Sequence, residues 1–213
     1  MFKEGEYINK IFDSSHFPSK MAFTVIEYLQ NNDTNEKINI LDIGCGEGRD
    51  DLYLAQNLKN RRIVAIDPSR EAIRKARITL SGEDDIEFHS IGFKEVHENE
   101  QFDVILISNV YHFFNKTERE LFRDKIKKLL KSQGWFFLST LSSNDKQYYG
   151  CGTPVPNDPN SFKGITYLHF ASKSEIMEDF SFLKVMELNE YYQKNYPTDS
   201  DYHTMWMLVC RCC

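Results

Sequence analysis

The sequence predicts an α/β fold built on a mostly parallel sheet with helices on both faces, and three observations carry that expectation. Short apolar runs rich in Ile, Val and Phe alternate with stretches of helical periodicity from residue 38 to about residue 140. A turn with glycine at alternate positions, Gly44-Cys45-Gly46-Glu47-Gly48, joins the first run directly to a helical stretch. Two closing apolar runs have no helix between them, so they must pair antiparallel.

Taken in order, Phe17-Pro18-Ser19 reads as a helix start because proline suits a first helical position. Met21, Ala22, Val25, Ile26 and Leu29 then recur at helical spacing and predict an amphipathic helix over 18–31. Strand one is Ile38–Ile43, and Leu52, Leu54, Ala55 and Leu58 mark the helix that follows. Strand two is 62–67, a helix covers 68–80, and strand three is Ile86–His89. Strand four is 102–107, followed by a helix over 116–130 and strand five over 135–139. From 144 to 171 glycines and prolines break every periodicity, which predicts an irregular loop, and long loops in compact domains are usually functional. A short helix over 172–179 and strands over 182–192 and 204–210 complete one domain spanning 1–213, with residues 1–36 as a cap and 144–171 as an acceptor-side insertion.

Lys and Arg number 26 against 32 Asp and Glu, a net charge of −6 that repels phosphate backbones and anionic membranes. No nucleic-acid or membrane partner is expected. Charged residues sit in Met1–Tyr7 where a signal peptide needs its apolar stretch, so the chain reads as cytoplasmic, and as a monomer or homodimer. Five cysteines, three of them crowded at 210, 212 and 213, match no disulfide framework or metal-ligand spacing; free thiols and no metal are expected.

A dinucleotide fingerprint would need glycine at position 49, where arginine stands, and no Lys-Ser or Lys-Thr follows to make a phosphate loop. The run Asp42-Ile43-Gly44-Cys45-Gly46-Glu47-Gly48 instead resembles the first motif of class I S-adenosylmethionine-dependent methyltransferases. Asp67, ending strand two, can accept from two vicinal hydroxyls, as that family's second motif requires. Phe102–Phe113 looks like its fourth motif. The resemblance spans about 38–140 and is closest to small-molecule members.

It implies a Rossmann-like class I methyltransferase fold with a seven-stranded sheet, S-adenosyl-L-methionine as cofactor, and a small-molecule methyl acceptor. Gly44 and Gly46, with Cys45 between them, would line the methionine end. Asp42 would hold the turn or reach the ammonium through water. Ser108 and Asn109 would stand near the methionine moiety, Asp67 would take the ribose and Pro68 would lie against adenine. After strand three, where many members carry an acid, this chain reads Ser90-Ile91-Gly92-Phe93, so backbone groups of Gly92 and Phe93 would receive the adenine.

Ligands of open parallel sheets bind beyond the carboxyl ends of the strands. The loops after strands four and five hold Tyr111, His112, Tyr148, Tyr149 and His169, and His203 stands further along. If the acceptor must lose a proton, imidazole is the fitting base, with His112 first and His169 beside it, and Tyr111 adjacent. A non-catalytic S-adenosylmethionine-binding protein of the same fold is the alternative.

Overall fold

The structure, a computed structural model, describes residues 17–30, 37–194 and 201–213. Its first described helix, α1 (Lys20–Gln30), buries the apolar residues that set its periodicity. Four β-α steps follow: β1 (Ile38–Ile43) and α2 (Arg49–Asn57), β2 (Arg61–Ile66) and α3 (Arg70–Thr79), β3 (Ile86–His89) and a 3-10 turn (Phe93–Glu95), then β4 (Phe102–Ser108), a second 3-10 turn (Tyr111–Phe113) and α4 (Lys116–Leu129). Next come β5 (Leu130–Leu141), the short β6 (Thr153–Pro154), β7 (Ser161–Lys163) and β8 (Tyr167–His169), then α5 (Lys173–Asp179), β9 (Lys184–Gln193) and β10 (His203–Arg211).

Seven strands form one sheet in the order β3-β2-β1-β4-β5-β10-β9. β10 runs antiparallel to both β5 and β9; the pairs among β1 to β5 are parallel. The antiparallel strand is last in chain order yet lies one place in from the edge. β1 pairs with β2 on one side and β4 on the other, so the chain reverses its direction of travel across the sheet there. Such a reversal leaves a crevice beyond the strand ends.

Side chains alternate faces along a strand, and both faces here are apolar. Leu41, Ile43, Ile105 and Phe136 pack with Phe122 and Ile126 of α4 and Ile176 of α5. Ile40, Ala65, Leu106 and Phe137 pack on the other face with Met21 and Val25 of α1, Leu54 of α2 and Ala76 of α3. Asp42 falls in the register of Ile40, and so on the α1–α2 face.

Two expectations are corrected. β5 begins at Leu130, directly after α4, with a register shift against β4 where Gln133 takes φ +61°, so the apolar run at 135–139 marks only its second half. The segment 144–171 is not irregular throughout: β6, β7 and β8 form a three-stranded antiparallel sheet. A ring of buried polar groups fastens that sheet. Arg119 Nη2 of α4 donates to Asp158 Oδ1 at 2.6 Å and Nη1 to the Tyr167 hydroxyl at 2.9 Å. The Tyr167 hydroxyl lies 2.9 Å from Ser161 Oγ, which lies 2.9 Å from His169 Nδ1. His169 Nε2 sits 2.9 Å from Glu175 Oε1, and that oxygen closes the ring 3.7 Å from Arg119 Nη2.

Candidate functional site

The crevice beyond β1 and β4 is a cleft of about 480 Å³ lined by Ser19, Asp42, Gly44, Cys45, Gly46, Glu47, Arg49, Asp50, Ser108, Asn109 and Val110. One wall is the turn after β1. Gly44, Gly46 and Gly48 all take positive φ, at 81°, 58° and 79°. At Gly44 the need is also steric, since a Cβ would stand 2.3 Å from Val110 Cγ2 on the opposite wall. At Gly46 a Cβ would meet nothing within 4 Å. The N–H groups of Gly44 and Cys45 both donate to Ile66 O, at 2.7 and 3.0 Å, which ties the turn to the end of β2.

Asp67 lies just past that end. Its carboxylate accepts from Gly46 N–H at 3.1 Å and Ser69 N–H at 2.8 Å, one bond on each oxygen. The opposite wall leaves β4 through Ser108 and Asn109. Asn109 has φ +58° and donates its N–H to Ser139 Oγ of β5 at 3.1 Å. Thus Asp42, Gly44, Cys45, Gly46, Ser108 and Asn109 come together as the sequence predicts, with Asp67 hydrogen-bonded to the turn and Pro68 exposed beside it.

Gly92 and Phe93 stand apart. The Gly92 N–H already donates to Glu95 Oε2 at 2.8 Å, and the Phe93 ring is buried against Phe114 and Phe122. Neither lines the cleft, as Asp67 and Pro68 also do not, and the Phe93 side chain belongs to the core.

The three residues expected to be catalytic also lie outside the lining of the cleft. Tyr111 is turned into the core on the α4–α5 face by the 3-10 turn that follows β4, and its hydroxyl donates to Asp179 Oδ2 at 2.7 Å. Burial and that carboxylate hold its phenol well above the ordinary range. His112 is buried too. Burial, then the nearby His203 and His169, push its pKa down to about 3, and Nδ1 has no partner. An imidazole so reluctant to take a proton is a poor base near neutral pH. His169 is wholly enclosed in the polar ring of the small sheet.

Residues that the sequence reading missed complete the site. Ser19, at the start of α1, donates its N–H to Asp50 Oδ1 at 2.7 Å and its hydroxyl to Asp50 Oδ2 at 2.6 Å, and Ser108 Oγ lies 3.3 Å from Ser19 Oγ. Burial pushes the Asp50 pKa up, while the Ser19 bonds and Arg49 pull it back. Asp51, the next residue, is fully buried against Asp42 of β1. Its pKa rises to about 8, through burial and then Asp50, and Asp42 rises well above the carboxylate range through burial and then Asp51. The only signal for these was the pair Asp50-Asp51 in the first turn of α2, where acids commonly complement the helix dipole.

Residues 40–134 match a family model described as a methyltransferase domain. The chain is 31% identical over 121 residues to the malonyl-[acyl-carrier protein] O-methyltransferase of Acetivibrio thermocellus, covering 57% of this chain and 41% of that one. It spans about half the length of the curated relatives it matches. Among solved structures, an S-adenosylmethionine-dependent methyltransferase of Methanosarcina mazei superposes with TM-score 0.70 at 20% identity, covering 86% of this chain and 96% of that one. The 1,6-didemethyltoxoflavin-N1-methyltransferase of Burkholderia thailandensis, solved with S-adenosylhomocysteine, gives 0.68 at 14% identity over 98% and 82%. At those identities the likeness is one of fold.

Proposed function

We propose that this chain, which carries a methyltransferase domain at residues 40–134 on a class I methyltransferase fold, transfers a methyl group from S-adenosylmethionine to a small-molecule acceptor. The observation that carries the reading is the convergence on one cleft of the left-handed glycine turn and the Ser108–Asn109 wall, with Asp67 hydrogen-bonded to that turn. A volume of about 480 Å³ lies within the range of small-ligand sites. Asp67 fits the ribose role: a carboxylate has about four lone-pair directions, and the two N–H groups it accepts leave as many for vicinal hydroxyls. Gly44 and Gly46 let the backbone approach the ligand, and Asp42 gives the cleft floor an acid for the amino-acid end. Ser108 and Asn109 flank that end, and Pro68 offers an apolar edge for adenine.

When bound, S-adenosylmethionine supplies an electrophilic methyl group on a cationic sulfur. The chain's own part is to orient two reactants and exclude water, which accounts for a large share of such a barrier. No imidazole among the predicted bases lines the cleft, which supports transfer by positioning to an acceptor that arrives nucleophilic. The acceptor side is assigned to the face beyond β4 and β5, flanked by segment 144–171 with Tyr148 and Tyr149. The cap expected over 1–36 falls for residues 1–16 and 31–36 outside the described residues; within them Ser19 contacts Asp50. Free thiols and the charge of −6 support a cytoplasmic location and an acceptor other than nucleic acid; among the described residues no helix is long and apolar enough to cross a membrane.

The test is titration with S-adenosylhomocysteine. Asp67→Ala should weaken binding by about 2–3 kcal/mol, the cost of removing a charged acceptor from hydroxyl donors. Unchanged affinity with an intact circular dichroism spectrum would remove the assignment. Transfer of labelled methyl, screened over thiols, amines, phenols and carboxylates, identifies the acceptor.

A further inference from the structure

The floor of the cleft holds a feature that cofactor contacts do not require. Asp42 and Asp51 lie against each other, buried, and among the described residues both Asp51 oxygens lack a hydrogen-bond donor. Asp42 lines the cleft and Asp51 does not, so Asp51 stands behind Asp42 as seen from the ligand. The groups around the pair are mostly acidic. Asp50 presses from α2 and Asp67 from the end of β2, and the Cys45 thiol in the turn feels all of Asp51, Asp42 and Asp67. Arg49 acts on Asp50, whose oxygens are taken by Ser19, and the Tyr191 hydroxyl of β9 senses Asp50 from the far side. Among the described residues neither Asp42 nor Asp51 has a cationic partner. Two carboxylates without a cation cannot both stay ionised in such contact; a shared proton removes the repulsion and supplies the missing donor.

We propose that Asp42 and Asp51 form a proton-sharing carboxyl pair that gives up a proton when the ammonium of the donor's zwitterionic amino-acid end enters the cleft, with Asp51 as the positioning residue. This rests on the cleft being the donor site. The ligand's positive charge replaces the proton as the partner of the pair, and the proton passes to the buffer. Donor affinity then depends on pH through Asp51, which touches no ligand. The sign follows from mass action: a ligand that displaces a proton binds more tightly as pH rises, until the pair is already ionised in the empty cleft.

The experiment is calorimetric titration of the full chain with S-adenosylhomocysteine at pH 7 in two buffers of different ionisation enthalpy, repeated from pH 6 to 9. 5′-Methylthioadenosine, which lacks the amino-acid end, serves as the comparison ligand. The expected result is release of about 0.5–1 proton with the first ligand and none with the second, and an affinity that rises with pH by up to about tenfold per unit. Asp51→Asn sets an amide donor against Asp42, which then ionises without a ligand; proton release and pH dependence should disappear while binding remains. Binding with buffer-independent heat in the parent overturns the proposal and leaves the donor site standing, as does undiminished release in Asp51→Asn. Failure of both ligands to bind at every pH overturns the donor site itself.

Discussion

Gly44 and Gly46 share a left-handed backbone, but their surroundings separate folding from binding. A methyl at Gly44 collides with Val110, so Gly44→Ala should cost about 1–3 kcal/mol of stability, measured by thermal or denaturant unfolding. At Gly46 the added methyl meets open space, so Gly46→Ala should cost only the left-handed strain of about 1–2 kcal/mol and show its larger effect as weaker S-adenosylhomocysteine binding. Unchanged S-adenosylhomocysteine affinity in Gly46→Ala would mean that the open space beside Gly46 is not a ligand site. His112 gives a prediction of a different kind. Its pKa is depressed to about 3, so it contributes stability that is present above the unfolded value near 6.5 and is lost as pH falls toward 3. His112→Gln should flatten the acid limb of the stability curve and leave the pH profile of turnover between 6 and 9 unchanged. The glycines and Asp67 were legible in the sequence because their chemistry is local to a turn. Tyr111 and His112 were not: nearness to the end of β4 says nothing about direction, and a single 3-10 turn sent the tyrosine to Asp179, 68 positions further along.

At the scale of elements, the parallel strands and their helices could be read because each buries an apolar stripe of the right period. The sheet of β6, β7 and β8 could not, since strands of two or three residues carry no period, and what holds them is polar. That hold is testable. Arg119 and Asp158 are 5% and 6% exposed, so removing the carboxylate takes from a buried guanidinium its nearest negative charge, with Glu175 left at 3.7 Å. Asp158→Ala should cost about 3–5 kcal/mol, and hydrogen exchange should rise across 153–171 and in the first turn of α4, where Lys116 N–H donates to Asp158 Oδ2 at 3.0 Å. Replacing both partners by apolar residues of similar volume should restore most of the loss. If exchange rises evenly over the whole chain instead, the small sheet is no separate unit. Ser19 and Asp50 escaped sequence reading for a related reason, because the contacts that join them span 31 positions.

For the molecule as a whole, the buried carboxyls of the cleft and His112 tilt stability in opposite senses. Asp42 and Asp51 are raised above their ordinary range, so their contribution is fully present below about pH 4 and is lost as pH climbs toward 8 and beyond. Asp51→Asn should therefore raise the melting temperature at pH 8, with the gain shrinking toward pH 5; a gain independent of pH would assign it to packing. The position of β10 has a consequence for how such a chain is made. β5 gains its second neighbour only from residues 203–211, some 70 positions after its own, so that edge waits for β10 throughout synthesis. Closing a loop of that size is slow relative to local helix formation. Until it closes, a 12-residue strand rich in Phe and Leu presents unpaired N–H and C=O groups. Ribosomes stalled before position 203 should thus carry nascent chains that aggregate or recruit chaperones, whereas chains released after position 211 should not.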